Sequence, residues 1–342
     1  MTAAPGSGTS RSPRRIGPFE VPAVGLGCMN LSHAYGVPPT PEAAERLLLA
    51  AVEEGVTLFD TAALYGFGAN EELVGRVLAG HRERIVLASK CGMAGVDGRR
   101  VIDGRPETIR RTADEALARL RTDVIDLYYL HRLDRAVPVE ESVGAMAELV
   151  EAGKVRALGL SEVSATTLRK AHAVHPVAAL QNEYSLWSRN PEQGTLTAAR
   201  ELGVALVAFS PLARGLLTST PPDPDGLSSG DIRRGMPRFG ARHYPANLEL
   251  RRVLWKIADD VGLTLPQLAL AWVLSRGPHV VAIPGTRSVS HLRENMAVLD
   301  VEVPGELLAS AGRVLNDATV HGARYNEATL AEIDTERCGR AG

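Results

Sequence analysis

Four ionisable side chains of different type, Asp60, Tyr65, Lys90 and His131, close or directly follow apolar runs between positions 60 and 131. A tyrosine hydroxyl, with an ordinary pKa of about 10, is a weak acid near neutrality, and a neighbouring ammonium eases release of its proton. Lys90 is such an ammonium, and Asp60 is the counter-charge that keeps a buried lysine protonated. His131 is able to orient a carbonyl oxygen or pass a proton. Together they form a general acid aimed at a carbonyl oxygen that gains negative charge, as it does when a hydride reaches the carbon. Taken singly, each reads more simply as a structural ion pair, a capped loop or a surface histidine. Four types at three consecutive strand ends carry the catalytic reading.

Those ends belong to a repeating pattern of short apolar run, polar loop and amphipathic stretch. The runs are VGLGC (24–28), VTLFD (56–60), IVLASK (85–90), VIDLYYLH (124–131), VRALGLS (155–161), VAALQNEY (177–184), VALVAFS (204–210) and HVVAIPG (279–285). Helical stretches such as 41–55, 106–120 and 138–153 open with proline and acidic residues, and two close on glycine. Strands this continuously apolar are buried on both faces, as in a parallel sheet covered by helices. Eight units without a change of composition favour an α/β fold, a closed (β/α)8 TIM barrel, over a doubly wound open sheet. A short hairpin is expected in RRIGPFEVPAV ahead of the first strand. A long loop and two helical stretches (211–278) form an insertion before the eighth, and loop 213–246 is long enough to be functional. The expected organisation is an N-terminal extension over 1–15, one domain over 16–317 and a C-terminal tail over 318–342, the two ends loose unless they dock.

A phosphate site is suggested separately where Gly285 and Thr286 lead from the eighth run into a helix beginning near Ser288, with Arg287, His291 and Arg293 adding positive charge. A capped helix with a solvated basic face is the alternative. FSPLARGLL (209–217) offers further backbone donors at the same end. GFGANE (66–71) is not a dinucleotide fingerprint, because its third glycine position is Glu71.

Composition bounds the partners. Apolar residues make up 45% and the formal net charge is −2, so a globular core is expected and no global pull toward nucleic acid or anionic lipid exists. Three scattered cysteines fit no disulfide or metal framework, and no apolar stretch approaches a membrane span or signal peptide; a cytoplasmic protein is expected. Nothing in the sequence marks an oligomer interface.

The stretches GVTLFDTAALYG (55–66), LASKCG (87–92), DLYYLHRLD (126–134), ALGLSE (157–162), LQNEYSLWSR (180–189), FSPLARGLL (209–217) and IPGTRSVSHLREN (283–295) together resemble the aldo-keto reductase superfamily, including its potassium-channel β-subunit-like branch. The resemblance covers about 20–317. It implies NADPH-dependent reduction of an aldehyde or ketone on a (β/α)8 barrel, with NAD the less expected cofactor, and its catalytic tetrad falls on Asp60, Tyr65, Lys90 and His131. It further implies that Ser161 and Gln181 bond the nicotinamide carboxamide and that Tyr184 stacks on the ring. Ser210, Leu212, Arg214 and Gly215 would wrap the pyrophosphate. Gly285, Thr286 and Arg287 would hold the 2′-phosphate, with His291 nearby and Glu294 and Asn295 at the adenine. Glu162 stands where many members carry Asn or Asp and is left outside the site.

The carbonyl substrate is expected to meet Met29, Tyr35, Phe67, Met93, Arg132 and Trp187, together with residues of loop 213–246. Two rival readings stay open at this point. One is a metal-dependent barrel hydrolase, although no second strand-end histidine completes a ligand set. The other is a non-catalytic NADPH-binding sensor that serves a partner.

Overall fold

The computed structural model describes residues 12–32 and 34–336. The strands, in chain order, are β1 (Arg14–Ile16), β2 (Phe19–Val21), β3 (Leu26–Gly27), β4 (Leu58–Asp60), β5 (Val86–Cys91), β6 (Met93–Val96), β7 (Arg99–Ile102), β8 (Ile125–Leu130), β9 (Val155–Ser161), β10 (Val177–Glu183), β11 (Ala205–Phe209) and β12 (Val280–Ile283). The helices are α1 (Pro41–Glu53), α2 (Ala69–Leu78), α3 (Pro106–Leu120), α4 (Val139–Glu151), α5 (Ala165–Val174), α6 (Thr195–Leu202), α7 (Tyr244–Asp259), α8 (Leu265–Leu274), α9 (Val289–Met296), α10 (Gly305–Val314) and α11 (Glu327–Glu332). None is long and apolar enough to cross a membrane.

The eight apolar runs become one parallel sheet in the order β3-β4-β5-β8-β9-β10-β11-β12. It closes through Gly25 N–H on Ala282 O (2.8 Å) and Ala282 N–H on Ala23 O (2.9 Å), which makes the expected (β/α)8 barrel. Cap chemistry starts several helices where the sequence places them: Thr40, Ser164 and Ser288 each accept from a first-turn amide, and Thr264 and Gln267 form a reciprocal capping box at α8.

Period-two alternation sorts the strand residues. Leu58, Val86, Leu127, Ala157, Ala179, Val207 and Val281 fill the inside of the barrel, while intervening residues such as Phe59, Leu87, Tyr128 and Leu180 pack under the helices. Continuing the inward parity toward the C-terminal rim turns the filling polar: Leu58 is followed by Asp60, Ala88 by Lys90, Tyr129 by His131, and Ala179 by Gln181. The barrel is therefore apolar below and ionisable above, because one side-chain parity passes through both layers.

The expected hairpin is β1–β2, which caps the lower end: Ile16 and Val21 join the inner cluster, and Gly17 lies so near Ala178 that an added Cβ would meet its side chain at 2.8 Å. A second antiparallel hairpin, β6–β7, stands on the rim beside the site and lies outside the eight-unit reading. Residues 318–336 dock rather than hang loose. Arg324 and Tyr325 are buried, and Asp334 accepts from the Ser164 and Thr167 hydroxyls. Residues 1–11 and Cys338 lie outside the described residues.

Candidate active site

Asp60, Lys90 and His131 end neighbouring inward rows, and a tight loop follows β4. Gly66, Phe67 and Gly68 all take left-handed φ in it, which turns Tyr65 back over the barrel. Asn70 fixes this loop by accepting from Thr61 Oγ1 (2.6 Å) and donating to Cys28 O (2.9 Å). Lys90 is fully buried. Its Nζ donates to Asp60 Oδ1 (2.5 Å), Thr61 O (2.8 Å) and Tyr65 Oη (3.2 Å). Gln181 Nε2 donates to the other Asp60 oxygen at 2.7 Å. The Tyr65 and His131 rings meet edge to face, centroids 5.8 Å apart. The structure thus brings all four residues to one point.

Burial opposes a charge on Lys90, but Asp60 and Tyr65 outweigh it, and the ammonium is held above its ordinary range. Burial also pushes the Tyr65 hydroxyl above its ordinary value, and the pull of Lys90 only moderates this. Lys90 thus acts on Tyr65 in the direction expected from the sequence, lowering a value that burial has raised. Tyr65 is held in the protonated form, the one a proton donor needs.

A cleft of about 490 Å³ opens above these groups and runs between the rims of β3, β11 and β12. Asp60, Tyr65, His131, Ser161, Gln181, Ser210, Leu212, Arg214, Gly215, Gly285 and Arg287 line it, as do Met29, Tyr35, Met93 and Arg132. Ile232, Arg233 and Met236 of loop 213–246 fold across it, anchored by Ile232 N–H on Ala34 O (3.0 Å).

Other expected residues fall elsewhere. Tyr184 is three positions past the inward Gln181 and so points outward; its ring packs edge-on against Trp272 (5.6 Å) and its hydroxyl donates to Glu192 (2.8 Å). It does not line the cleft, whereas Phe209, the last inward residue of β11, does. Trp187 is buried against Phe239 (5.2 Å), and Phe67 is 52% exposed and packs over Gly95; neither lines the cleft. Thr286 accepts from Ser288 N–H (3.1 Å) as part of the turn into α9. His291 is exposed, Glu294 half-buried and Asn295 buried, all on α9 beyond the cleft lining. The Arg293 charge is taken by Glu54 at 2.6 Å. Arg214 reaches the cleft, but its guanidinium is spent on Glu183 (2.6 Å) and Tyr325 (2.5 Å), so its backbone is what remains for a ligand. Cys91 is buried, and its thiol is pushed up to about 12 by that burial, which leaves it inert.

The residues present fit a phosphorylated dinucleotide. Gly285 is a close-approach position, since a Cβ there would meet Asn30 Oδ1 at 2.2 Å. Ser210, Ala213, Arg214 and Gly215 all have left-handed φ, which curls the loop after β11 into a nest of backbone amides. Arg287 donates only to the carbonyls of Tyr35 (3.3 Å) and Val37 (2.9 Å) and pairs with no carboxylate among the described residues, so its charge is uncompensated. No group of three or more His, Cys, Asp or Glu among the described residues is placed to hold a metal ion.

The chain belongs to the aldo/keto reductase family, whose model matches residues 23–311. It is 42% identical over 319 residues to the aldo-keto reductase yakc, NADP(+), of Schizosaccharomyces pombe, covering 91% of this chain and 94% of that protein. The glycerol dehydrogenase of Gluconobacter oxydans superposes with a TM-score of 0.82 at 30% identity, over 90% of this chain and 95% of that one. An aldo-keto reductase of Klebsiella pneumoniae solved in complex with NADPH superposes with a TM-score of 0.70 at 29% identity, over 92% and 99%.

Proposed function

We propose that this protein is a cytoplasmic NADPH-dependent reductase that converts an aldehyde or ketone to an alcohol, reversibly, with Tyr65 as proton donor. Bound in the cleft, NADPH would be the source of the hydride that reaches the carbonyl carbon. Tyr65 hands its hydroxyl proton to the carbonyl oxygen as negative charge develops there. Lys90, held charged by Asp60, stabilises the phenolate left behind, and His131 orients the oxygen. Ser161 and Gln181 would bond the carboxamide, and the nest at 210–215 would wrap the pyrophosphate. Arg287 would supply charge for the 2′-phosphate, and Phe209 would offer an apolar ring to the nicotinamide. Met29, Tyr35, Met93 and Arg132 are the substrate-side lining.

The observation that carries this reading is the 3.2 Å bond from Lys90 to Tyr65 with Asp60 2.5 Å behind it, at the floor of the cleft. Replacing Tyr65 with Phe tests it. Carbonyl reduction should fall by about two to four orders of magnitude, while NADPH binding stays near normal. Robust turnover by that variant would sink the assignment. The sensor reading finds no support in a site whose four groups are all in contact.

A further inference from the structure

We infer that Arg324, carried by the C-terminal segment, is a positioning residue for the dinucleotide. It acts through Glu162, Glu183 and Arg214 to hold the pyrophosphate nest in its curled form; the inference rests on the cofactor reading above. Arg324 comes from a stretch that sequence analysis leaves as a tail, yet its side chain is only 5% exposed. Its fork donates to both Glu162 oxygens, at 3.1 and 2.7 Å, and lies 3.7 Å from Glu183 Oε2. It also donates to Thr335 Oγ1 (3.1 Å), and Asp334 N–H donates to Glu162 O (3.0 Å), so the segment is tied to the end of β9 on both sides of the fork.

Glu162 and Glu183 are the rim residues of adjacent strands, linked by Glu183 N–H on Glu162 Oε1 (2.9 Å). Glu183 then grips Arg214 at 2.6 Å, and Tyr325, next to Arg324, accepts from the same guanidinium at 2.5 Å. One tail arginine therefore connects the nicotinamide end of the cleft, where Ser161 precedes Glu162, to the loop that follows β11.

Two physical arguments make this connection matter for the cofactor. Ser210, Ala213 and Arg214 are non-glycine residues held at φ of 50°, 52° and 54°. Such backbone persists only where its surroundings over-determine it, and the buried Arg214 side chain, held by Glu183 and Tyr325, is one such restraint on this loop. The four buried charges also balance, two acids against two arginines. Removing Arg324 leaves two carboxylates to one arginine beside a cradle meant for phosphates.

The test measures NADPH affinity by protein fluorescence quenching, without turnover, on full-length R324Q, R324K and Y325F, each checked for its fold by circular dichroism. The expected result is a dissociation constant raised about tenfold or more for R324Q and by intermediate factors for R324K, which keeps charge but loses the fork, and for Y325F. In steady state, the rise in KM for NADPH should outrun any fall in kcat. If R324Q does not fold, R324K and Y325F decide the matter. Folded variants that all bind NADPH within about twofold of the parent, below the loss expected for a buried charged contact, overturn the inference. A parent protein that does not bind NADPH would overturn the cofactor reading instead.

Discussion

At the scale of single residues, side-chain parity decides which groups can act. Asp60, Lys90 and His131 continue the inward rows of their strands, so their convergence is legible in the sequence once the runs are aligned. The same rule, applied one run further, separates Phe209 from Tyr184, because Ala205, Val207 and Phe209 face inward whereas Tyr184 lies at odd spacing from Gln181. The family resemblance drew attention to the tyrosine, and register turns it away from the cleft. F209A should raise the NADPH dissociation constant, while Y184F should leave it unchanged and cost about 1 kcal/mol in a denaturant melt, the value of one hydrogen bond. That cost stays small because Arg189 still pairs with Glu192 at 2.7 Å. R287A should shrink the preference for NADPH over NADH by roughly tenfold, about 1.4 kcal/mol, as expected for loss of a charge-assisted contact; kinetics with both cofactors read this directly. Reduction should persist into alkaline solution. Tyr65 and Lys90 both hold their protons above their ordinary values, so the active form is lost only as pH rises through those elevated values, as a pH profile of kcat would show.

Among elements, the barrel strands and their helices follow from hydrophobic period and caps, whereas the rim structures do not. The hairpin β6–β7 turns on Asp97 and Gly98, both at positive φ, a type I′ turn with a recognised Asp-Gly signature. Its strands are too short and too exposed to show a hydrophobic period, and so composition hides it. Gly98 meets nothing where a Cβ would stand, so G98A isolates backbone strain. Stability should fall by about 1–2 kcal/mol through strain at left-handed φ; a larger loss in thermal unfolding would show that the hairpin packs more deeply than the geometry indicates. The curl of the loop after β11 is hidden for a related reason: three of its four left-handed residues are not glycines, and only tertiary restraint holds them there.

Across the whole molecule, the C-terminal segment is the least legible part of the chain. Its composition is polar and loose, and its order comes from ion pairs whose partners lie some 140 to 160 positions away, at Glu162 and Glu183. Burial opposes ionisation of Glu183, but Arg214 and Arg324 outweigh it and hold the carboxyl at about 2. Its stabilising share is therefore complete above the ordinary value of 4.5 and lost as pH falls toward about 2. E183Q should begin less stable than the parent but lose less stability on acidification through that window, as urea melts at stepped pH would reveal. The β1–β2 hairpin has a kinetic counterpart at the opposite end. Because it plugs the lower opening, with Gly17 seated on Ala178, cofactor and carbonyl compound share one entrance. A carbonyl compound that enters before the spent dinucleotide has left would trap it in a dead-end complex. Initial rates should therefore pass through a maximum and decline as the carbonyl concentration rises.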